Sequence, residues 1–424
     1  MKKGLARIRR GYGKKLVSIH AWNAWLVLFL ALSGLMLLGG YWREVLGEGR
    51  VWLKWGHILF GLVLLIPVIY YLFLAAKHWK RLKGRPSQKL NVLAVLTLLI
   101  GWIISGIVLW QFRLAGPHAA NAALFIHDIL TWVGLPIIIY HSITRTKWLK
   151  ESQKRSIVPE QAQTEVALPS SKQEPRTPLP TPQPIYSRRG FIKVAVGAGL
   201  ALTLGPTFLR WLGQSFTLPS TDDYAADNAN VLNPDPVPLP ESAPPIGGGA
   251  DGHFRVYTVT EIPSFNNTNW SFTIDGLVDK KMSWNWEQFV QLHREVQVSD
   301  FHCVTGWSVY KNTWEGIPLG KLLDMAGVKS NAATVKLYSG DGVYTDSLTL
   351  EQAKLQDIMV AVMHDGKPIS NQLGGPVRLV VPQMYAYKSV KWLNRIELIE
   401  GDHIGYWEQR GYDIDAWLPA AKKV

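Results

Sequence analysis

The sequence predicts a multi-domain chain: an all-α transmembrane four-helix bundle with a fifth anchor helix, followed by an α+β domain. Three observations carry this. Five apolar runs are each long enough to cross a bilayer, which takes about 20 residues. Polar, Pro-rich stretches set the fifth run apart on both sides. The remainder, 251–424, mixes strand-like alternation with short amphipathic stretches, as a globular domain does. A chain of 424 residues has room for this many units.

The apolar runs are 16–40, 55–76, 90–112, 119–143 and 191–212. Trp55, Tyr70, Tyr71, Trp110 and Tyr140 sit near their ends, where interfacial anchors belong. A net charge of +13 would suit a nucleic-acid partner, but the cations cluster at the ends of apolar runs, which argues against one. Residues 1–15 carry seven cations, 77–89 carry six, and neither stretch has an acid; 144–155 carry five against one acid. The segments 41–54 and 113–118 carry three and one. Positive loops stay inside, so the N-terminus, the second loop and the region after the fourth run are cytoplasmic.

Ionisable residues inside spans are costly and mark function. His20 lies near the inner end of the first run, His57 near the outer end of the second, and His127 and His141 near the outer and inner ends of the fourth. Fourteen residues separate the last two. At about 100° and 1.5 Å per residue they project from nearly one face, about 21 Å apart along the axis. His20 is then level with His141 and His57 with His127. Paired imidazoles between facing helices are how a bundle holds haem iron. His118, after Gly116 and Pro117 at the mouth of the span, is an alternative outer ligand, and His78 in the basic loop reads as solvated.

The stretch His20-Ala-Trp-Asn-Ala followed by Ser33-Gly34 resembles the first helix of the cytochrome b subunits of formate dehydrogenases and their relatives. The resemblance covers about 5–148. It implies a diheme cytochrome b domain (two heme b groups) over 1–149, with His20 and His141 on the inner haem and His57 and His127 on the outer.

Residues 150–187 are rich in Gln, Glu, Ser, Thr and Pro and read as a semi-extended cytoplasmic linker. Ser187-Arg188-Arg189-Gly190-Phe191-Ile192-Lys193 then resembles a twin-arginine export signal and opens a unit over 188–213 that includes the fifth helix. That route carries folded domains, so a cofactor is inserted before export. Residues 214–250 form a second, external linker ending in Gly247-Gly248-Gly249.

In the last domain, 251–424, strands are expected at 270–278, 334–338, 377–381 and 390–399, with helices near 286–293, 319–326 and 350–356. There is no G-x-G-x-x-G after a strand and no P-loop, which argues against nucleotide cofactors. The chain holds one cysteine, Cys303, so no internal disulfide can form.

Three segments stand out: Asp300-Phe301-His302-Cys303-Val304-Thr305-Gly306-Trp307-Ser308, then 374–382 (Gly-Gly-Pro-Val-Arg-Leu-Val-Val-Pro), then Lys388-Ser389-Val390-Lys391-Trp392. In this order they resemble the sulfite oxidase superfamily of molybdopterin enzymes, over about 250–410. The Cys-Val-x-Gly-Trp-Ser variant is most similar to the catalytic subunits of periplasmic methionine sulfoxide reductases. The resemblance implies a molybdenum-molybdopterin cofactor with Cys303 on the metal, a soft thiolate suited to a transition metal. It also implies Arg378, Ser389, Lys391 and Lys388 around the anionic pterin, with Ser339 and His253 as further contacts. The chain departs from the pattern at Leu373, where relatives carry a polar residue. It departs again at Tyr310-Lys311-Asn312, where sulfite oxidases carry arginines for a compact dianion. Asp300 and His302 either tune the metal or brace the loop.

The expectation is a molybdopterin-dependent oxidoreductase in the cytoplasmic membrane of a prokaryote, multi-pass, with its catalytic domain outside. Quinone or quinol is the membrane partner. The outer substrate is a small molecule or an oxidised protein side chain, through S- or N-oxide reduction. A dehydrogenase feeding quinone, an electron conduit with a docking domain that does no chemistry, and a plain membrane anchor are the alternatives; oligomeric state is left open.

Overall fold

The computed structural model describes residues 12–38, 45–46, 49–144, 232–243, 249–419 and 421, with isolated positions in 191–212. The linker 150–187, the arginine pair at 188–189 and most of 213–250 lie outside the described residues. So does the continuity of the fifth helix, of which only separate helical positions are described.

Four long helices open the chain: α1 Tyr12–Leu38, α2 Gly49–Arg81, α3 Pro86–Trp110 and α4 Phe112–Thr144. All four are long and apolar enough to cross a membrane; α2 and α4 enclose the second and fourth expected runs, while α1 and α3 begin before the first and third and are described as far as Leu38 and Trp110. α2 continues through the basic stretch as far as Arg81, because the stems of Lys and Arg can lie along an apolar surface while their heads reach water. His78 is therefore helical, and its Nδ1 lies 2.9 Å from the Tyr71 hydroxyl rather than in a solvated loop. α4 is broken at Gly116 (φ 81°, ψ 166°), a conformation open to glycine, and resumes at Pro117, which suits a first helical turn.

The chain divides into two compact units: Met1–Ala31, Ile66–Ile100 and Asp128–Leu212 form one, and Leu32–Leu65, Gly101–His127 and Gly213–Val424 the other. The second contains two five-stranded sheets. One runs β2 (Met282–Asn285), β1 (Ser271–Gly276), β10 (Leu393–Ile399), β5 (Thr334–Ser339), β6 (Thr345–Thr349). The other runs β3 (Glu295–His302), β4 (Ser308–Pro318), β7 (Met359–His364), β8 (Lys367–Pro368), with β9 (Arg378–Val380) also on β7. Among the described strands only β1 and β10 pair in parallel.

Short helices fill the connections. α5 (Trp286–Val290) and α7 (Leu350–Ala353) each start with a reciprocal cap, Asn285 with Gln288 and Thr349 with Gln352. In α6 (Leu319–Ala326), Leu319, Leu322, Leu323 and Ala326 are buried at helical spacing, and Gly327 ends the helix at φ 69°. They join Trp270, Phe272, Phe289, Val335 and Ile396 in the main core. The α+β class is as expected; strands β2, β3, β4, β6, β7 and β8 are additional. β4 and β7 are buried almost throughout, so neither shows the period-two alternation that marks a half-exposed strand.

Candidate functional site

Cys303 stands at the tip of a hairpin. β3 and β4 close across His302 and Ser308 and leave 303–307 as the loop. The loop is held from within. The Cys303 N–H donates to the Trp307 carbonyl at 3.0 Å, and the Gly306 N–H donates to the Cys303 carbonyl at 3.0 Å. Gly306 sits at φ 94°, which a side chain would strain. The hairpin is bulged between Ser299 and Phe301. Opposite the bulge Lys311 is left-handed at φ 54°, and its N–H donates to the Asp300 carboxylate at 2.9 Å. Asp300 is thereby committed to the bend of the strand. His302 Nδ1 lies 2.8 Å from Ser308 Oγ, which ties the two ends of the loop together. Phe301, Trp307, Val309 and Trp314 form a second apolar core behind it, against which Cys303, Phe254 and Tyr257 pack.

Burial pushes the Cys303 thiol pKa up; the Thr305 hydroxyl, 3.2 Å away, and the cations Arg255 and Arg50 oppose this. Lys391 lies in the same electrostatic neighbourhood. Its ammonium donates to the carbonyls of Tyr257 (3.0 Å) and Gln372 (3.1 Å) and pairs with no carboxylate among the described residues. Burial, and then Arg378, bring its pKa down to about 7, against the pull of Cys303 and Asp341. A buried ammonium held by carbonyls leaves its charge uncompensated, a setting that suits an anionic neighbour.

Arg378 is buried and spends its guanidinium on framework. It donates to the Leu373 carbonyl at 2.6 Å and the Ser389 carbonyl at 3.3 Å, with its plane over Phe301 and Trp314. The Leu373 side chain lies in the second core, so this position offers only its carbonyl. The Ser389 hydroxyl accepts from the Val381 N–H at 3.0 Å. Ser339 accepts from the Asp341 N–H at 3.3 Å in the turn after β5. His253 is part-buried, two residues beyond the bridge that joins Asp251 to Tyr310.

Lys388 does not join this group. Its ammonium is taken up by Asp346 at 2.8 Å, by Glu408 and by the Ser347 carbonyl at 3.0 Å. Burial raises the Asp346 carboxyl to about 6 despite that partner.

Residue-by-residue reading missed Arg50, Arg255, Tyr257 and Tyr412. Arg50, in the first turn of α2, places its guanidinium 4.9 Å from the centre of the Tyr257 ring, and that ring is parallel to Trp307 within 7° at 6.5 Å. Lys54, one helical turn on, stands 4.7 Å over Tyr412. In sequence both cations read as topology signals; no motif marks them as neighbours of a cysteine some 250 positions away.

The neighbourhood fits an anionic metal cofactor that brings ligands of its own. One soft sulfur is available, Lys391 awaits an anion, and the indole N–H of Trp307 is buried without a protein partner. Among the described residues no three His, Cys, Asp or Glu side chains gather as a metal cage.

The helices carry a second candidate site in two parts. In the first unit His20 and His141 face each other with ring centroids 5.7 Å apart. In the second unit His57 and His127 do so at 6.4 Å. An imidazole nitrogen binds a metal at roughly 2 Å, so two rings sharing one ion stand on the order of 6 Å apart. Ser33 Oγ lies 2.8 Å from His57 Nδ1, and Ser105 Oγ lies 2.8 Å from His127 Nδ1. Gly34 and Gly106 follow these serines and lie against the same rings; a methyl at Gly34 would meet His57 Cε1 at 3.2 Å. The repeated Ser-Gly pair, at 33–34 and 105–106, was the signal available in sequence for the second brace. His118 stands apart from the outer pair and stacks on Tyr310.

Residues 259–407 match the family model described as the oxidoreductase molybdopterin binding domain. The chain is 35% identical over 167 residues to the uncharacterized oxidoreductase YuiH of Bacillus subtilis, covering 39% of this chain and 84% of that one. It is 26% identical over 247 residues to the protein-methionine-sulfoxide reductase catalytic subunit MsrP of Campylobacter jejuni, covering 54% and 79%. It is also 27% identical over 157 residues to the putative protein-methionine-sulfoxide reductase subunit YedZ1 of Azospira oryzae, covering 37% and 59%.

Proposed function

The chain belongs to the oxidoreductases that carry a molybdopterin-binding domain, and from that premise we propose a membrane-bound molybdenum enzyme that passes electrons from the quinone pool to an S- or N-oxide outside the cytoplasm. The observation that carries the reading is the hairpin-tip Cys303, with the carbonyl-held ammonium of Lys391 and the cations Arg50 and Arg255 in its electrostatic neighbourhood. Cys303 supplies the protein's ligand to molybdenum. Lys391 neutralises the pterin phosphate as a point charge. Arg378 and Ser389 hold the backbone of the 374–382 and 388–392 segments in place, with Ser339 and His253 at the edge. When bound, the cofactor supplies two-electron oxygen-atom transfer. The stacked Tyr257 and Trp307 wall the site and limit water near the thiol.

His20 with His141 and His57 with His127 hold two b-type haems, which pass on singly the electrons that a quinol gives in pairs. The serine braces favour this over a plain anchor. Ser105 donates its hydroxyl proton to the Gly101 carbonyl at 2.7 Å, so His127 Nδ1 donates to Ser105 and its other nitrogen keeps a lone pair for a metal. Matches to proteins named as a catalytic subunit and as a further subunit of protein-methionine-sulfoxide reductases support one chain combining both roles, with a sulfoxide as substrate, free or on a protein. The cation-rich loops and the twin-arginine-like segment of the sequence support a catalytic domain outside the cytoplasm.

Metal and optical analysis of the detergent-purified protein tests this. One molybdenum and two b-type haems per chain are expected. Haem without molybdenum overturns the assignment of Cys303, and molybdenum without haem overturns the histidine pairs.

A further inference from the structure

The loop that carries Cys303 is seated on the helix that carries His127. A side chain built on Gly306 would meet Leu109 Cδ2 at 2.8 Å, the Ala120 carbonyl oxygen at 3.3 Å and Leu124 Cβ at 3.6 Å. Leu124 also packs against the apolar cluster that Cys303 joins. Ala120, Leu124 and His127 stand at i, i+4 and i+7, so they share one face of α4. The axial distance from Ala120 to His127 is about 10 Å at 1.5 Å per residue. From Gly306 the path is short, since its N–H donates to the Cys303 carbonyl.

A second contact flanks the seat. Tyr310 stands where sulfite oxidases carry an arginine-rich segment, and its ring stacks on His118 at 5.3 Å and within 6° of parallel. Its hydroxyl lies 3.3 Å from His118 Nδ1. His302, next to Cys303, closes the group at 5.8 Å from Tyr310 and 6.5 Å from His118.

We infer that electrons cross from the outer histidine pair to Cys303 through the seat of Gly306 on the Ala120–Leu124 face of α4, with the His118–Tyr310 stack fixing its register. The inference rests on the proposed function. The balance closes with the reagents named there. A quinol becomes a quinone and releases two electrons and two protons. The substrate takes up both pairs, its S–O or N–O bond breaks, and its oxygen leaves as water. The seat explains why position 306 is a glycine packed this closely: the surface beside the loop is a docking face.

The test follows molybdenum reduction in the full-length protein after mixing with a naphthoquinol. Haem reduction is read optically and the Mo(V) signal by paramagnetic resonance after rapid freezing. In Leu124→Ala and Gly306→Val the haems should reduce as in the parent. The Mo(V) signal should appear severalfold more slowly, since electron tunnelling through protein weakens with every ångström of gap that is added. Tyr310→Leu should slow it too, and Tyr310→Phe, which keeps the ring, should restore it. Dithionite, which reaches the metal directly, should raise the same Mo(V) signal in every variant. Unchanged Mo(V) kinetics in both Leu124→Ala and Gly306→Val would overturn the inference. So would a loss of molybdenum that tracks the slowing, because the seat would then be structural. A parent protein whose haems are absent or are not reduced by quinol would instead bring down the function on which it rests.

Discussion

Ser105 Oγ and His127 Nδ1 lie 2.8 Å apart, and the serine's own proton is already given to the Gly101 carbonyl. The histidine must therefore donate, which fixes both its tautomer and its ring plane. Outer-shell partners of this kind are worth about 10–100-fold in metal affinity. On the proposed function, in which His57 and His127 hold one haem and His20 and His141 the other, Ser105→Ala should weaken the first by that range and leave the second intact. Haem content per chain should fall from two toward one in a titration with haem, and an unchanged count with an unchanged outer potential would refute the assignment.

Cys303 is the protein's direct ligand on this reading, so its loss should exceed the outer-shell range of about 10–100-fold in activity. Cys303→Ser keeps the size of the side chain and replaces the soft sulfur. Oxide-reducing turnover should fall by more than about 100-fold while the two haem bands and the thermal transition stay in place. Retained turnover would take the chemistry away from this hairpin.

The four helices were legible because each holds an apolar run long enough to cross a bilayer, where a helix satisfies every backbone polar group. Their histidine pairing was legible because a helix converts spacing into height and face. Cys303, Lys391 and Arg378 were visible through ordered motifs. Arg50 and Arg255 were not, since they approach Cys303 from separate distant segments of the chain and leave no local pattern. Lys388 shows the opposite failure: it stands inside a motif with Ser389 and Lys391, but the two carboxylates it meets lie on segments far away in sequence.

Lys388 is buried with Asp346 and Glu408, and removing one partner of a buried ion group leaves uncompensated charge, at a cost of about 3–5 kcal/mol. Lys388→Met should destabilise the 251–424 domain by that amount in denaturant unfolding while molybdenum content in the surviving folded protein is retained. Burial holds Asp346 protonated up to about 6, so the loss should be smaller at pH 5, where that carboxyl is neutral, than at pH 8. Loss of molybdenum without loss of stability would return Lys388 to the cofactor site.

Lys391 carries a prediction of opposite sign. Burial lowers its pKa from 10.5 to about 7 in the cofactor-free fold. Between those values the unfolded chain holds a proton that the folded chain has released, so stability rises with pH across that window. Below about 7 the folded lysine is charged as well and the full penalty is present; above 10.5 neither state is charged and the penalty is gone. Molybdenum-free Lys391→Met should therefore melt above the molybdenum-free parent at pH 6, with the gap closing as pH approaches 10. With the cofactor bound the order should reverse, because an anion beside Nζ favours the charged ammonium and methionine offers it nothing. A Lys391→Met protein that keeps its molybdenum and shows the parent's pH profile in both states would mean that this ammonium meets no anion, and that the carbonyls of Tyr257 and Gln372 are its whole purpose.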